Sequence, residues 1–456
     1  MILLLFAILA LALPFGSIAL WFLGKKQRQA ELAFNAAVIA ALALLAYELF
    51  AQGIAASYFG IVSVNAYAAF FATIFSIGML LVSVLAYAYS QKYADFAILS
   101  GFALIGMYSV AFASSLLLIL LGLELASVPS VFIILLSRRN SIEAATKYLV
   151  MSALAAGVLA FGIVLVFGSA NSISLSQVPK TAYAVAALAF FFVSLGFDSA
   201  QFPFNILLPD VYQGSSAYAT AMLGGVNEKL GFAALMQVLL LVFVGIGATF
   251  AVAAALSVLT MFYGNLVALV QKNLKRLFAY SSISQAGYIM IGIATHTQGG
   301  IAASLVQIFA HMFLFIGILA IVAWLESRNR NNIDDLIGLS SENKMAAFGL
   351  VLFMLALIGL PFTVGFIGKF LLFLNATVSG MVWLAILGII NSVISVFYYA
   401  KPITAIFTNK YESRKLSMNY ATLAVVSACI IAIVLFGVYP APLVAFASSA
   451  ASALLR

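Results

Sequence analysis

Apolar runs of roughly 20 residues, separated by short polar punctuation, recur from one end of this chain to the other. That length spans the hydrocarbon of a bilayer as an α-helix. The runs fall at about 2–23, 33–52, 65–89, 97–112, 114–136, 147–168, 181–202, 216–243, 248–270, 277–294, 300–325, 345–373, 379–400 and 418–439. The pattern predicts an all-α polytopic membrane protein of about 14 spans. A transmembrane barrel is excluded, because its strands alternate instead of running solidly apolar. The polar stretches around 326–344 and 408–417 are too short to fold alone. The uncharged loop Gly53 to Val64 reads as a surface-lying segment.

Two of the runs are interrupted by proline beside charge. The first lies in Leu195–Ser216, LGFDSAQFPFNILLPDVYQGSS, where Asp198 sits in the apolar run, Pro203 follows, and a polar turn with Pro209 and Asp210 closes it. The second is Gly359–Phe370, GLPFTVGFIGKF, broken at Pro361 and carrying Lys369. Proline removes a backbone donor and frees a carbonyl. At membrane depth such a break persists only where protein or a wet cavity surrounds it. The breaks lie five spans apart, so the two segments run in opposite senses. This predicts two inverted repeats of five helices, with discontinuous helices 7 and 12. The expected organisation is an N-terminal three-helix segment 1–96, a first repeat 97–245, a second repeat 246–405, and a C-terminal helix and tail 406–456.

Composition agrees: 65% of the 456 residues are hydrophobic and 7% are charged, unlike a soluble globular chain. The basic residues segregate. With the N-terminus outside, one side collects Lys25/Lys26/Arg28, Lys92, Arg138/Arg139, Lys272/Lys275/Arg276, Arg328/Arg330/Lys344 and Lys401/Lys410/Arg414/Lys415, with Lys180 the main exception. By the positive-inside rule that side is cytoplasmic, both termini are outside, and the Asp210 loop is inside. A prokaryotic plasma membrane is the expected location. The first run lacks a basic segment before it and reads as a retained helix, not a signal peptide. The net charge of +8 is that of the loops and calls for no nucleic acid. One cysteine, Cys429, allows no internal disulfide or thiolate metal site. Two histidines, His296 and His311, offer little for haem or zinc, so no cofactor or metal is expected.

Few ionisable groups remain at depth: Glu124, Asp198, Glu228, Lys229, Lys369 and, more weakly, His311. Each charge costs about 2.5–3.5 kcal/mol at a helix centre on insertion scales, so the group requires an explanation. One is a proton path; the other is ion pairs that hold helices together. Glu228 and Lys229 point about 100° apart on an ideal helix, which allows them different partners. His311, alone on an apolar helix, reads first as a hydrogen-bonded core residue. The run Ala279–Tyr288, AYSSISQAGY, suits either a wet path or interhelical hydrogen bonding.

These segments resemble the antiporter-like membrane subunits of respiratory complex I. The pattern G-F-x5-P-F-x4-P-D-V-Y-x-G-[AS] of Gly196–Ser215 carries the resemblance. So do Leu274–Ile283 with Gly287-Tyr288, Asp335–Leu339, Gly359–Phe370, Leu123–Ser127 and Glu143–Tyr148. They cover 97–405 in order. Length and span count suggest the subunit N type, with the L, M and Mrp antiporter types as alternatives. The resemblance implies fourteen core helices and a proton path through a helix-five Glu, lysines on helices seven and eight, and a charged residue on helix twelve. Glu124 matches the first and Lys369 the last. Asp198 stands where the family has its helix-seven lysine, and Glu228 where it has the helix-eight lysine, with Lys229 beside it. Asn205 and Gln285 stand where histidines are usual.

The family implies a proton-translocating subunit of an NADH-, F420H2- or ferredoxin:quinone oxidoreductase, without a cofactor of its own. Its partners are other membrane subunits and the lipid bilayer, and it meets quinone only through those subunits. An Mrp-type cation/proton antiporter subunit and a non-pumping structural spacer are the alternatives. Two nearby carboxyls disfavour double ionisation, so at least one of the Glu124–Asp198 pair is expected to hold a proton. Lys229 is expected either to supply positive charge toward Asp198 or to form a structural pair with it.

Overall fold

A computed structural model describes residues 2–22, 28–138, 141–408 and 415–455. Lys25, Lys26, Arg139, Lys410 and Arg414 of the basic loops lie outside these. In chain order the helices are α1 (Ile2–Phe22), α2 (Arg28–Ala51), α3 (Ala66–Tyr89), α4 (Tyr93–Ala111), α5 (Leu116–Ser137), α6 (Ile142–Ala170), α7 (Ala182–Asp198), α8 (Leu208–Gly214), α9 (Ala217–Met222) and α10 (Glu228–Gln237). There follow α11 (Ala248–Ala268), α12 (Leu274–Ala294), α13 (Gln298–Glu326), α14 (Leu339–Glu342), α15 (Lys344–Ile358), α16 (Val364–Val378), α17 (Val382–Phe407), α18 (Tyr420–Val438) and α19 (Ala441–Leu454). The π turn Leu223–Asn227 joins α9 to α10, and a second, Val238–Val242, extends α10. Among the described residues 12 helices are long and apolar enough to cross a membrane. The chain is a multi-pass, nearly all-helical membrane protein.

Two details depart from the sequence reading. The Gly53–Val64 loop contains a small antiparallel hairpin, β1 (Ala56–Tyr58) with β2 (Val62–Val64), in the register Ala56 to Val64. The stretch after 440 is helix, not tail: α19 starts at Pro440-Ala441-Pro442, with proline in its first turn. Its 14 residues fall short of a span, so hydropathy alone does not reveal it. It packs on α3 and α13.

The helices sort by exposure. α12 and α13 are buried along their length, and the Ala217–Val242 unit almost so. α1, α2, α6, α11, α17 and α18 bury about one side, as lipid-facing helices do. Polar side chains on the central helices therefore face protein. α4 packs on α5, α5 on α6 and α6 on α7; later α11 packs on α12, α12 on α13, and α13 on α15 and α16.

The first break is not where proline alone would put it. α7 ends at Asp198, five residues before Pro203. The Ala200 N–H donates to Phe197 O at 3.2 Å and the Gln201 N–H to Gly196 O at 2.7 Å, with Ala200 at φ 57°. This is a Schellman end, whose left-handed residue is usually glycine. Asp198 is thus the last helical residue of α7. Gly231 of α10 lies against its carbonyl; a Cβ there would stand 2.3 Å from the Asp198 carbonyl carbon. Only glycine permits this approach of α10 to α7. The second break is similar: α15 ends with Gly359 at φ 117°, and Thr363 caps α16 by accepting from the Phe366 N–H.

Candidate functional site: a buried polar chain across the bundle

The ionisable residues at membrane depth form three groups, with Glu124 and Asp198 half-buried and Glu228, Lys229, His311 and Lys369 buried. The first is acidic. Glu124 on α5 and Asp198 at the end of α7 share a cavity of about 10 Å³ with Ser127, Ser152 and Ser194. Among the described residues neither carboxyl has a hydrogen-bond or ion-pair partner in the protein. A neighbouring cavity of about 30 Å³ is lined by Asp198, Tyr148, Tyr212, Asn227 and Glu228. Asp198 belongs to both, so it joins Glu124 to Glu228 through space.

The second group is compact. Glu228 opens α10 directly after the π turn, a feature that often marks functional positions. Its Oε2 accepts from Ser282 Oγ of α12 at 2.5 Å, and its Oε1 lies 3.1 Å from Lys229 Nζ. Lys229 is fully buried, and its Nζ stands 2.6 Å from His311 Nδ1 on α13. His311 Nδ1 is also 3.8 Å from Glu228 Oε1. With Lys229 as an ammonium, which only donates, Nδ1 accepts and the histidine proton belongs on Nε2. That Nε2 has no partner among the described residues. Sequence neighbours thus contact each other while each reaches a different helix. Lys229 does not turn to Asp198 as the sequence suggested; the contact with His311 takes it the other way.

One turn before His311 on α13, Gln307 donates its Nε2 to Gln285 Oε1 of α12 at 2.9 Å. Gln285 Nε2 lies 3.4 Å from Leu357 O at the end of α15. The third group begins at that carbonyl. Lys369 Nζ donates to Leu357 O at 2.7 Å, Ile358 O at 3.2 Å and Ser392 Oγ at 3.0 Å, and lies 4.4 Å from the Tyr288 ring centroid. The break at Gly359–Pro361 frees these two carbonyls. Beyond Tyr288 the chain continues through Asn391, Asn265 and Tyr398.

The serine-rich α12 supplies interhelical bonds rather than a bare wet face: Ser281 meets Tyr399, Ser282 meets Glu228 and Gln285 meets Gln307. The sequence reading missed Gln307, Asn227 and Ser392. Ser304, Gln307 and His311 lie at i, i+3 and i+7, one polar stripe on an otherwise apolar helix, and that spacing was the available signal for Gln307.

At one end of these helices the ion pairs are of another kind. Asp210 of α8 binds Arg276 at 2.5 Å and Lys147 at 3.0 Å. Glu326 binds Lys275 at 2.6 Å and Arg138 at 3.4 Å. The basic side chains of one predicted face thus converge and tie α8 to α6 and α12. Burial tends to raise the Asp210 carboxyl, but the Arg276 and Lys147 contacts outweigh it and hold it below the usual carboxylate range. A depressed value adds stability that is present above the unfolded-state value and lost as pH falls through the folded-state one. Asp210→Asn should therefore lower thermal stability at neutral pH, with the gap from wild type closing in strong acid. Melting curves of both proteins across that range check this.

A family model described as "NADH:quinone oxidoreductase/Mrp antiporter, TM" matches residues 113–395, which include all of the buried chain from Glu124 to Asn391. The chain belongs to this family. It is 34% identical over 400 residues to "NADH-quinone oxidoreductase subunit N 1" of Chloroherpeton thalassium, covering 83% of each. It is 31% identical over 418 residues to "F(420)H(2) dehydrogenase subunit N" of Methanosarcina mazei, covering 86% of this chain and 85% of the relative. A chain of respiratory complex I from Thermus thermophilus superposes with a TM-score of 0.83 at 27% identity, over 98% of this chain and 100% of that one. Members of this family are membrane subunits of larger complexes, and the resemblance found in the motifs is borne out along the chain.

Proposed function

We propose that this chain is the N-type membrane subunit of a complex I-like oxidoreductase in a prokaryotic plasma membrane, and that it translocates protons along the buried polar chain. The observation that carries this is the run of titratable groups from Glu124 through Asp198, Glu228, Lys229 and His311, with Lys369 beyond two glutamines, in the core of a bundle otherwise apolar. Groups that only tied helices together would be paired, yet the Glu124 and Asp198 carboxyls have no partner among the described residues. Intramembrane ionisable groups of this kind mark ion and proton pathways. Electron chemistry, quinone and the electron donor belong to partner subunits in this reading, and the chain itself contributes no cofactor.

The helix contacts support two inverted repeats, α4–α10 and α11–α17. The packed pairs α4–α5, α5–α6 and α6–α7 recur as α11–α12, α12–α13 and α13–α15, each series ending in a break. Between His311 and Lys369, within the second repeat, stand Gln307 and Gln285. Neutral amides carry no titratable proton, so these two side chains are polar stepping stones rather than proton-holding stations. The spread of basic residues supports a cytoplasmic Asp210 end with both termini outside.

The test uses inverted membrane vesicles driven by the complex's own electron donor. Glu124→Gln should lower the ratio of protons moved to electrons transferred. The same ratio in Glu124→Gln, Asp198→Asn and Glu228→Gln would return the chain to a structural spacer. The identity of the subunits that copurify separates this reading from an Mrp-type antiporter.

A further inference from the structure

We infer that the hydroxyl groups between α12 and α17 form a proton inlet of their own, feeding Lys369 from the basic end of the bundle. Such an inlet presupposes the proton-route reading above and gives that route a second entry, remote from Asp198. Its starting point is the chemistry around the ammonium. Of the three acceptors at Lys369 Nζ, Leu357 O and Ile358 O are carbonyls and have no proton to give; Ser392 Oγ, at 3.0 Å, has one. The way back to His311 leads through Gln285 and Gln307, whose neutral amides hold no titratable proton. A Lys369 that has released its proton is therefore refilled through Ser392.

From Ser392 the hydroxyls continue in one direction. Ser281, Ser284 and Tyr288 stand at i, i+3 and i+7 on α12, and Ser392, Ser395 and Tyr399 at the same spacing on α17, so each set forms one stripe. All but the half-buried Ser392 are buried. At the upper end the Tyr288 hydroxyl lies beside Ser392 and Ser284 and accepts from Asn391 Nδ2 at 3.1 Å. At the lower end Ser281 Oγ meets the Tyr399 hydroxyl, with Tyr398 adjoining both. Between them Asn265 of α11 accepts from the Tyr398 hydroxyl at 2.9 Å and donates to Asn391 O at 2.7 Å. Asn391 Oδ1 is buried with no partner among the described residues, which calls for a water joining the two ends. Ser281 lies seven residues from Tyr288, about 10 Å along α12, and Tyr398 precedes the exposed Lys401 by three residues, about 4.5 Å. The stripes thus run from Lys369 to about one turn short of the face that carries Arg276 and Lys401. Ties between helices would not have to line up end to end from an ammonium to that face. In the step itself Ser392 gives its proton to the neutral Lys369 amine and takes one from its neighbour. Each hydroxyl breaks one O–H bond as it forms another, and water at the basic end supplies the last proton.

The experiment uses the assembled complex in inverted vesicles, whose bath meets the basic face. The titratable groups along the stripes are Lys369, Tyr288, Tyr398 and Tyr399, and no carboxylate or imidazole acts on any of them among the described residues. Tyr399→Phe and Tyr398→Phe each remove one oxygen from the lower end. Each should lower the proton-to-electron ratio severalfold in an alkaline bath and regain it as the bath is acidified, because more protons relieve a slow inlet. Ser281→Ala should do the same and stands in for a tyrosine variant that does not assemble. Tyr108→Phe removes an equally buried hydroxyl, paired with Ser76 at 2.7 Å away from the stripes, and should leave the ratio unchanged at every bath pH. In Tyr288→Phe a water takes the place of the hydroxyl among its polar neighbours, so the lower end carries the test. A wild-type ratio in assembled Tyr399→Phe and Ser281→Ala complexes overturns the inlet. So does a ratio lowered by the same factor at every bath pH, the result of a purely structural role. Loss in Glu124→Gln without acid-relieved loss in Tyr399→Phe keeps the route through Asp198 and removes the inlet. Acid-relieved loss in Tyr399→Phe with an unchanged ratio in Glu124→Gln keeps the inlet and removes the route through Asp198.

Discussion

Lys229→Met should strip the complex of this chain, and the paired change Glu228→Gln with Lys229→Met should largely restore it. Lys229 is wholly buried, and its ammonium is the only cation at Glu228 among the described residues. Removing it leaves a carboxylate in the bundle core with one hydroxyl partner, Ser282, and strips His311 Nδ1 of its donor. Breaking a buried pair from one side costs about 3–5 kcal/mol, because the remaining charge is uncompensated. Protein stabilities are about 5–15 kcal/mol, so the loss is a large share of the total. Replacing both partners removes the stranded charge, and such double changes are often close to neutral. The measurement is the amount of chain in the purified complex and its melting temperature for the single and double variants. Equal stability of wild type and Lys229→Met would mean that Glu228 is neutral in the folded protein. The double variant, folded but lacking two stations, should transport protons poorly, which separates folding from transport in one series.

How much of this was legible in the sequence follows from what a one-dimensional pattern records. A charge inside an apolar run announces itself, so Glu124, Asp198, Glu228, Lys229 and Lys369 were readable. Proline announced both breaks. The termination of α7 at Asp198 was not readable, because a Schellman end normally shows glycine and here uses Ala200. Spacing on an ideal helix separated Glu228 from Lys229; the reach of the lysine side chain brings them together. The direction of Lys229 depended on His311, 82 positions away. Nothing local favours that contact over one with Asp198. The family motifs located the path, and the substitutions within it set the electrostatics, which only the packed helices reveal.

Lys369→Met should behave oppositely to Lys229→Met: the complex assembles, and proton transport falls at least tenfold. Among the described residues Lys369 has no carboxylate partner. Its three N–H groups meet three acceptors, Leu357 O, Ile358 O and Ser392 Oγ, over the face of Tyr288. An ammonium has three donors and no acceptor, so this cage is matched to the protonated form. Removing the lysine strands no opposite charge. Ser392 still donates to Ile358 O at 3.1 Å, and Gln285 still approaches Leu357 O. What is lost is about 1–3 kcal/mol, the range for one buried acceptor left poorly satisfied. Transport loses a strongly basic station beside the second break. Tyr288→Leu tests the cage itself: it removes the ring face, worth about 2 kcal/mol or more when desolvated, while keeping the lysine. It should reduce transport severalfold and shift its pH profile, whereas Tyr288→Phe, which keeps the ring, should shift it little. The readouts are the proton-to-electron ratio in inverted vesicles across a pH series and the melting temperature of each purified complex. If Lys369→Met fails to assemble, as Lys229→Met is expected to, the lysine is a structural tie. If it assembles and pumps fully, the path ends before the second break.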